Sequence, residues 1–248
     1  MAPMVEIRNL GQIYRSGNGS VPALQNISFC VNKGEFLSII GPSGCGKSTL
    51  IKIIGDIIAP TEGTVSVNGL TPRDARLKGM FSFVFQNPVL LPWRRLLRNV
   101  SLPLEILGRE GRDPRALLDM VGLSGFEERY PWELSGGMRQ RAALARGLVF
   151  DPDILLMDEP FASVDEMTRS TLNFELLRLW QETGVTILFI THSISEAVAL
   201  SDRVLVLSSR PARIRDLVTI SFPRPRDNAV KQTAAFQEVV RCLKEKLD

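Results

Sequence analysis

The sequence predicts an α/β fold: a parallel sheet, an antiparallel β subdomain before it and a helical subdomain set into it. Three observations carry that expectation. Through the second half of the chain, short apolar strands alternate with helical patterns, which encodes a parallel sheet covered on both faces. Phe36-Leu37-Ser38-Ile39-Ile40 is nearly continuously apolar, as a buried central strand requires, and it runs into a glycine-rich loop. Between residues 86 and 134 the strand signals give way to apolar residues at helical spacing.

Taken in order, 5–10 and 27–31 read as strands rich in β-branched or aromatic residues, separated by the turn cluster Gly17-Asn18-Gly19-Ser20. After the strand at 36–40 and the loop, a helix is expected over 50–58, ended by Pro60-Thr61-Glu62-Gly63. Residues 64–67 alternate and close on Asn68-Gly69, the pattern of an antiparallel strand. In the middle, 96–107 has helical spacing despite Pro103, and 114–121 reads as a short helix with proline in its first turn. Beyond Ser135 come a helix to about 150, a strand at 154–157, a helix at 164–182, a strand at 186–190, a helix at 194–200 and a strand at 203–207. In the tail, Phe236, Val240, Leu243 and Leu247 are spaced four, three and four apart. That is an amphipathic helix, expected to pack on the core. The chain is therefore read as one domain, 1–248, with a helical subdomain at about 87–149 and a C-terminal helix at about 227–247.

Composition narrows the function classes. The 248 residues are 44% hydrophobic, enough for a sizeable core, and 30 Lys+Arg against 27 Asp+Glu leave a net charge of +3. A dedicated nucleic-acid binder usually concentrates a basic excess, so no nucleic-acid partner is expected. No apolar run approaches bilayer length, and the N-terminus lacks a signal pattern. The expectation is a soluble, cytosolic chain that can still dock on a membrane protein. Cys30, Cys45 and Cys242 are far apart and form no CxxC, the pattern of free thiols in a reducing compartment.

Gly41-Pro42-Ser43-Gly44-Cys45-Gly46-Lys47-Ser48 matches G-x-x-x-x-G-K-[ST] in full, with Thr49 following. Its glycines let successive N–H groups converge on phosphate oxygens, and the following helix adds its positive end. Lys47 is expected to reach the β- and γ-phosphates of ATP or GTP, and Ser48 to ligate Mg2+. Cys45 reads either as an alkylation-sensitive thiol or as a small residue that fits the loop, and the second is the expectation. Asp158 and Glu159 follow the apolar run 154–157, at the carboxyl edge of the sheet where ligands of open α/β sheets bind. Asp158 is expected to hold Mg2+ and Glu159 to act as general base on the attacking water. His192, the one histidine, ends the next apolar strand at the same edge, suited to the γ-phosphate and the water.

Leu134-Ser135-Gly136-Gly137-Met138-Arg139-Gln140-Arg141 offers a second glycine-rich helix start with free N–H groups. One nucleotide does not need two such starts from one domain. A head-to-tail pair of copies resolves this, each Ser135-Gly136-Gly137 start closing over the nucleotide held by the other copy's Lys47.

These motifs, in this order, resemble the nucleotide-binding subunits of ABC transporters over nearly the whole chain. The resemblance implies a P-loop NTPase core, ATP and Mg2+ as ligands, and ATP hydrolysis coupled to transport. It makes 134–140 the signature motif, Gln86 a Q-loop residue that senses Mg2+ and contacts the transport subunit, Asp165 the D-loop aspartate acting across the pair, and Tyr14 the aromatic that stacks on adenine. Within the family, Leu90-Leu91-Pro92-Trp93, Glu159-Pro160-Phe161, Glu196-Ala197-Val198, Asp202-Arg203-Val204 and Phe222-Pro223-Arg224-Pro225-Arg226 look like the nitrate/sulfonate/taurine import group. The implied partners are a second copy, an integral-membrane permease and an extracytoplasmic solute-binding protein, with this subunit peripheral on the cytoplasmic face of the inner membrane. Ala162-Ser163-Val164-Asp165, Ser193 and Ala212 depart from the commoner family residues without removing a phosphate or Mg2+ contact. Trp93 and Arg94 are read as passing motion to the permease, with packing of Pro92-Trp93 within the subdomain as the alternative. An ATP-switched clamp on DNA or ribosomes is the competing class. It would need a long coiled coil or a tandem cassette, and the 158 − 47 = 111 positions from Lys47 to Asp158 carry no sustained heptads. A small-molecule kinase would leave 135–140 without a use.

Overall fold

The computed structural model describes residues 2–17, 19–162, 164–224, 226 and 228–247. Asn18 of the expected turn, Ser163, Pro225 and Asp227, the expected start of the tail helix, lie outside the described residues. In chain order the elements are β1 (Val5–Ser16), β2 (Gly19–Val31), β3 (Phe36–Ile40), α1 (Lys47–Ile54), β4 (Glu62–Val67), α2 (Pro72–Leu77), β5 (Phe81–Phe85), α3 (Leu96–Leu107), α4 (Pro114–Met120), a 3-10 turn (Pro131–Glu133), α5 (Gly136–Leu148), β6 (Ile154–Asp158), α6 (Glu166–Thr183), β7 (Thr186–Ile190), α7 (Ile194–Leu200), β8 (Arg203–Leu207), β9 (Ile214–Thr219), α8 (Asn228–Lys231) and α9 (Ala234–Glu245). They form two compact units, one of residues 1–78 and 186–248, the other of 79–185.

In the first unit β1 pairs antiparallel with both β2 and β4, the hairpin setting Ser16 opposite Gly19. β3 lies between β7 and β8, parallel to both, and β9 runs antiparallel along β8. Every residue of β3 and β7 is buried, which explains their unbroken apolar runs. Helix α1 begins at Lys47 and ends at Ile54, not at 58. The Gly55 N–H closes the helix onto Ile51 O and Asp56 turns left-handed at φ 57°, so the chain leaves the helix before the expected Pro60-Gly63 stop. The tail is two helices, not one. Thr233 Oγ1 accepts from the Phe236 N–H at 3.2 Å and starts α9 afresh. Phe236 and Leu243 are buried with Ala197, Val198 and Ile220, so the tail packs on the core as expected. Arg226 is buried there, donating to the carbonyls of Val198, Ser201, Ile220 and Phe222. Burial, aided by the neighbouring Arg224 charge, pushes its guanidinium down to about 10.

In the second unit β5 and β6 pair in parallel, and α5 lies close on them. A Cβ on Gly147 would stand 3.3 Å from Leu155, Ser82 and Val84 side chains. The expected helices of this region appear as α3, α4, α5 and α6, with ends within two residues of expectation. Buried Asn99 holds the turn before α3: its Oδ1 accepts from Leu91 N, and its Nδ2 donates to Leu91 O and Arg94 O. Elements β5, β9 and α2 were not expected. β5 is a five-residue apolar run whose period is ambiguous, β9 is a half-exposed edge strand, and α2 buries only Ala75.

Candidate nucleotide site

The first unit carries the phosphate loop. β3 delivers the chain to Gly41, where a Cβ would come within 3.1 Å of Leu207 O and 3.0 Å of Cys45 Sγ. At Gly46, φ is 133° and a Cβ would meet Leu24 Cδ2 at 2.9 Å and Ala23 O at 3.0 Å. Gly46 is thus fixed by backbone shape and close packing, and Gly41 by close packing. Cys45 is 1% exposed, which fits its reading as a small loop residue and shields its thiol. Lys47, also buried, turns its ammonium onto the loop, donating to Gly41 O at 2.8 Å and Pro42 O at 3.1 Å. Ammonium, loop and α1 start thus converge as an anion cradle.

Tyr14 is exposed, and its hydroxyl lies 3.1 Å from Thr49 Oγ1, which sets a free aromatic face beside the loop's end. Ile39 pairs with Ile190, so Gly41 and His192 each lie two residues beyond paired positions, at one edge of the sheet. His192 is exposed there. Sequence reasoning missed Arg210, whose Nη2 donates to Gly44 O at 2.6 Å. Its position outside every motif gave no signal.

The second unit carries the acidic strand end and the second helix start. Phe85 pairs with Asp158, so Gln86 and Glu159 leave the sheet side by side. Asp158 is the last residue of β6 rather than the first beyond it. Glu159 adopts φ 46°, a left-handed conformation that non-glycine residues rarely hold and that gathers at functional positions. Gln140, buried in α5, donates from Nε2 to Phe85 O at 3.2 Å, anchoring the helix next to Gln86. Ser135 is exposed and caps α5, its Oγ accepting from Met138 N at 3.3 Å. A Cβ on Gly136 would meet nothing within 4 Å, whereas one on Gly137 would stand 2.8 Å from Thr168 Cγ2. The α5 and α6 starts therefore abut, bringing Ser135 and Asp165 to one neighbourhood. Asp165 caps α6 by accepting from Thr168 N at 3.0 Å. Bonds from the Thr168 N–H and hydroxyl hold its carboxyl below the usual carboxylate range. Trp93 is 71% exposed, so it does not pack within the subdomain, while Arg94 pairs with Glu105 at 2.8 Å.

A family model described as ABC transporter matches residues 24–162. The chain belongs to the ABC transporter family. An uncharacterized ABC transporter ATP-binding protein of Methanocaldococcus jannaschii is 44% identical, the match covering 100% of this chain and 94% of that one. A taurine import ATP-binding protein of Jannaschia sp. is 42% identical, over 94% and 90% of the two chains. An aliphatic sulfonates import ATP-binding protein of Bacillus cereus is 39% identical, over 95% and 92%. Two solved structures share the fold. One is a dimeric bacterial ABC transporter cassette, with TM-score 0.79 and 32% identity over 89% of this chain and all of that one. The other is a dimeric post-hydrolysis state with ADP and phosphate bound, with TM-score 0.78 and 33% identity over the same shares. Within the ABC family the chain falls with the nitrate/sulfonate/taurine importers. It is an ATP-binding ATPase of the kind that drives transport.

Proposed function

We propose that this ABC ATPase works as a head-to-tail pair of copies that closes over two ATP molecules and powers import of a small solute, an anion such as nitrate, a sulfonate or taurine. The observation that carries the pairing is the second helix start. Ser135 and Gly136 are exposed with open space over Gly136, in a chain whose phosphate loop is already complete without them. A partner's nucleotide fits that space.

Each residue then has a task. Lys47 and the loop amides bind the phosphates, and Tyr14 offers its ring to adenine. The loop at Gly41 and Gly46, where a Cβ would strike Leu207, Cys45, Leu24 and Ala23 and spoil the loop shape, together with the Lys47 ammonium, fits phosphate. Ser48, Asp158 and Gln86 supply a hydroxyl, a carboxylate and an amide, oxygen donors suited to Mg2+. When bound, that ion supplies charge neutralisation on the phosphate oxygens. Glu159 takes the proton of the attacking water and His192 orients that water. Ser135, Gly136, Gly137 and Asp165 act across the pair.

Residues 79–185 correspond to a unit containing the helical subdomain, and the exposed Trp93 is the surface offered to a permease. On this reading the chain docks on that permease at the cytoplasmic face of the membrane, and an extracytoplasmic protein delivers solute. Among the described residues no helix is long and apolar enough to cross a membrane. The clamp reading gains nothing, since α3 and α5, the longest helices between Lys47 and Asp158, have 12 and 13 residues, too short for a coiled-coil arm.

The test is Glu159→Gln in the full chain. It is expected to bind ATP and shift from monomer to dimer on gel filtration with ATP, and to lose about 100-fold or more in kcat. A normal rate, or no ATP-dependent dimer, would overturn the assignment.

A further inference from the structure

We propose that Glu196 and Thr191 are positioning residues for His192, forming a closed hydrogen-bonded relay that fixes the backbone on both sides of that histidine. Thr191 Oγ1 donates to Glu196 Oε2 at 2.5 Å. The same Thr191 oxygen accepts from Ser193 N at 3.0 Å. Ser193 Oγ in turn accepts from Glu196 N at 3.3 Å. His192 lies inside this circuit, exposed between a threonine 3% exposed and a glutamate 9% exposed four residues on.

Ser193-x-x-Glu196 is the sequence of a capping box, in which the glutamate carboxylate normally takes the cap residue's own N–H. Here the Thr191 hydroxyl is interposed. The direct box would serve α7 equally well with the carboxylate at the surface. Carrying it inward to Thr191 incurs desolvation, and α7 needs no second cap because Ser193 Oγ already provides one. What the relay adds is a tie to the residue before His192. Thr191 is also tied sideways, its N–H donating to Ile39 O at 3.4 Å. β3 continues from there into the phosphate loop, so the turn bearing His192 is referenced to the strand that positions Lys47. A side chain that must meet a phosphate and a water needs such fixed aim, since a displacement of about 1 Å can cost about 100-fold.

The proposal rests on the reading of His192 given above, and the experiment separates the two. ATP hydrolysis by the full chain is measured at saturating and limiting ATP for Thr191→Val, Thr191→Ser, His192→Ala and the double variant Thr191→Val/His192→Ala. Thr191→Val, close in shape but without the hydroxyl, is expected to lower kcat about tenfold with KM for ATP within about twofold. Thr191→Ser is expected to restore the rate. The double variant is expected to be no slower than His192→Ala, because the relay acts only through the histidine. If Thr191→Val lowers the melting temperature too far for assay, Glu196→Gln against Glu196→Met replaces it. Glutamine keeps an acceptor and is expected to retain several-fold more rate than methionine. His192→Ala slow but Thr191→Val at full rate would overturn the relay and leave the His192 role standing. His192→Ala at full rate would overturn both. A further loss in the double variant would overturn the relay by showing a general structural effect.

Discussion

The phosphate loop and the second helix start use glycine in opposite ways. At Gly41 and Gly46 a Cβ would collide with the chain's own Leu207, Cys45, Leu24 and Ala23. At Gly136 a Cβ would meet nothing. The first pair is small because the fold already fills the space around it. Gly136 is small where nothing among the described residues stands within 4 Å of a Cβ, as expected if something outside the chain must approach. Lys47 is likewise buried and bonded into its loop, whereas Ser135 is exposed and caps its helix. On the proposed function, one half binds by itself and the other completes a site in the partner copy.

Substitutions can break or sharpen that contrast. The largest effect is expected from Gly46→Ala, whose φ and contacts forbid the loop shape. Its affinity for ATP, read by titration calorimetry, is expected to fall about 100-fold or more. Next comes Gly136→Asp. A carboxylate at a helix start favours the helix, so melting temperature is expected to hold and ATP binding to survive. The negative charge would repel a partner's phosphates, so the ATPase rate is expected to drop about tenfold or more. Equal binding losses in the two variants would erase the contrast.

A smaller effect is expected at Arg210. Arg210→Gln removes the guanidinium from Gly44 O and is expected to raise KM for ATP about threefold with kcat retained. The smallest is a pH effect at Asp165. Its carboxyl titrates below its ordinary range because Thr168 donates to it. A depressed carboxyl contributes stability that is present above its unfolded pKa and lost as pH falls through the folded one. Asp165→Ala is therefore expected to lower the melting temperature at pH 7, with the gap to the parent closing below about pH 4. A gap that is constant with pH would place the effect outside the carboxylate.

Much of this was legible because motif chemistry and strand burial are local. β3 and β7 are apolar throughout because both are fully buried. The loop's Lys47 and the strand-end Asp158 and Glu159 follow from spacing alone. What escaped the sequence depends on tertiary context. The Gly55 exit of α1, the Thr233 restart of the tail and the left-handed Glu159 are backbone choices that composition does not announce. Arg210 reaches Gly44 across 166 positions, and the contact of Gly137 with Thr168 joins two helix starts that no motif connects.

The central claim is that one ATP site is made from two chains, and mixing two dead variants tests it directly. Lys47→Ala lacks the phosphate lysine, and Gly136→Asp spoils the second helix start. Each alone is expected to be nearly inactive. Mixed in equal amounts, about half the pairs would be mixed, each with one intact composite site, giving about a quarter of the parent ATPase rate. A mixture no more active than the sum of its parts, with both variants folded and able to pair, would contradict a site shared between copies.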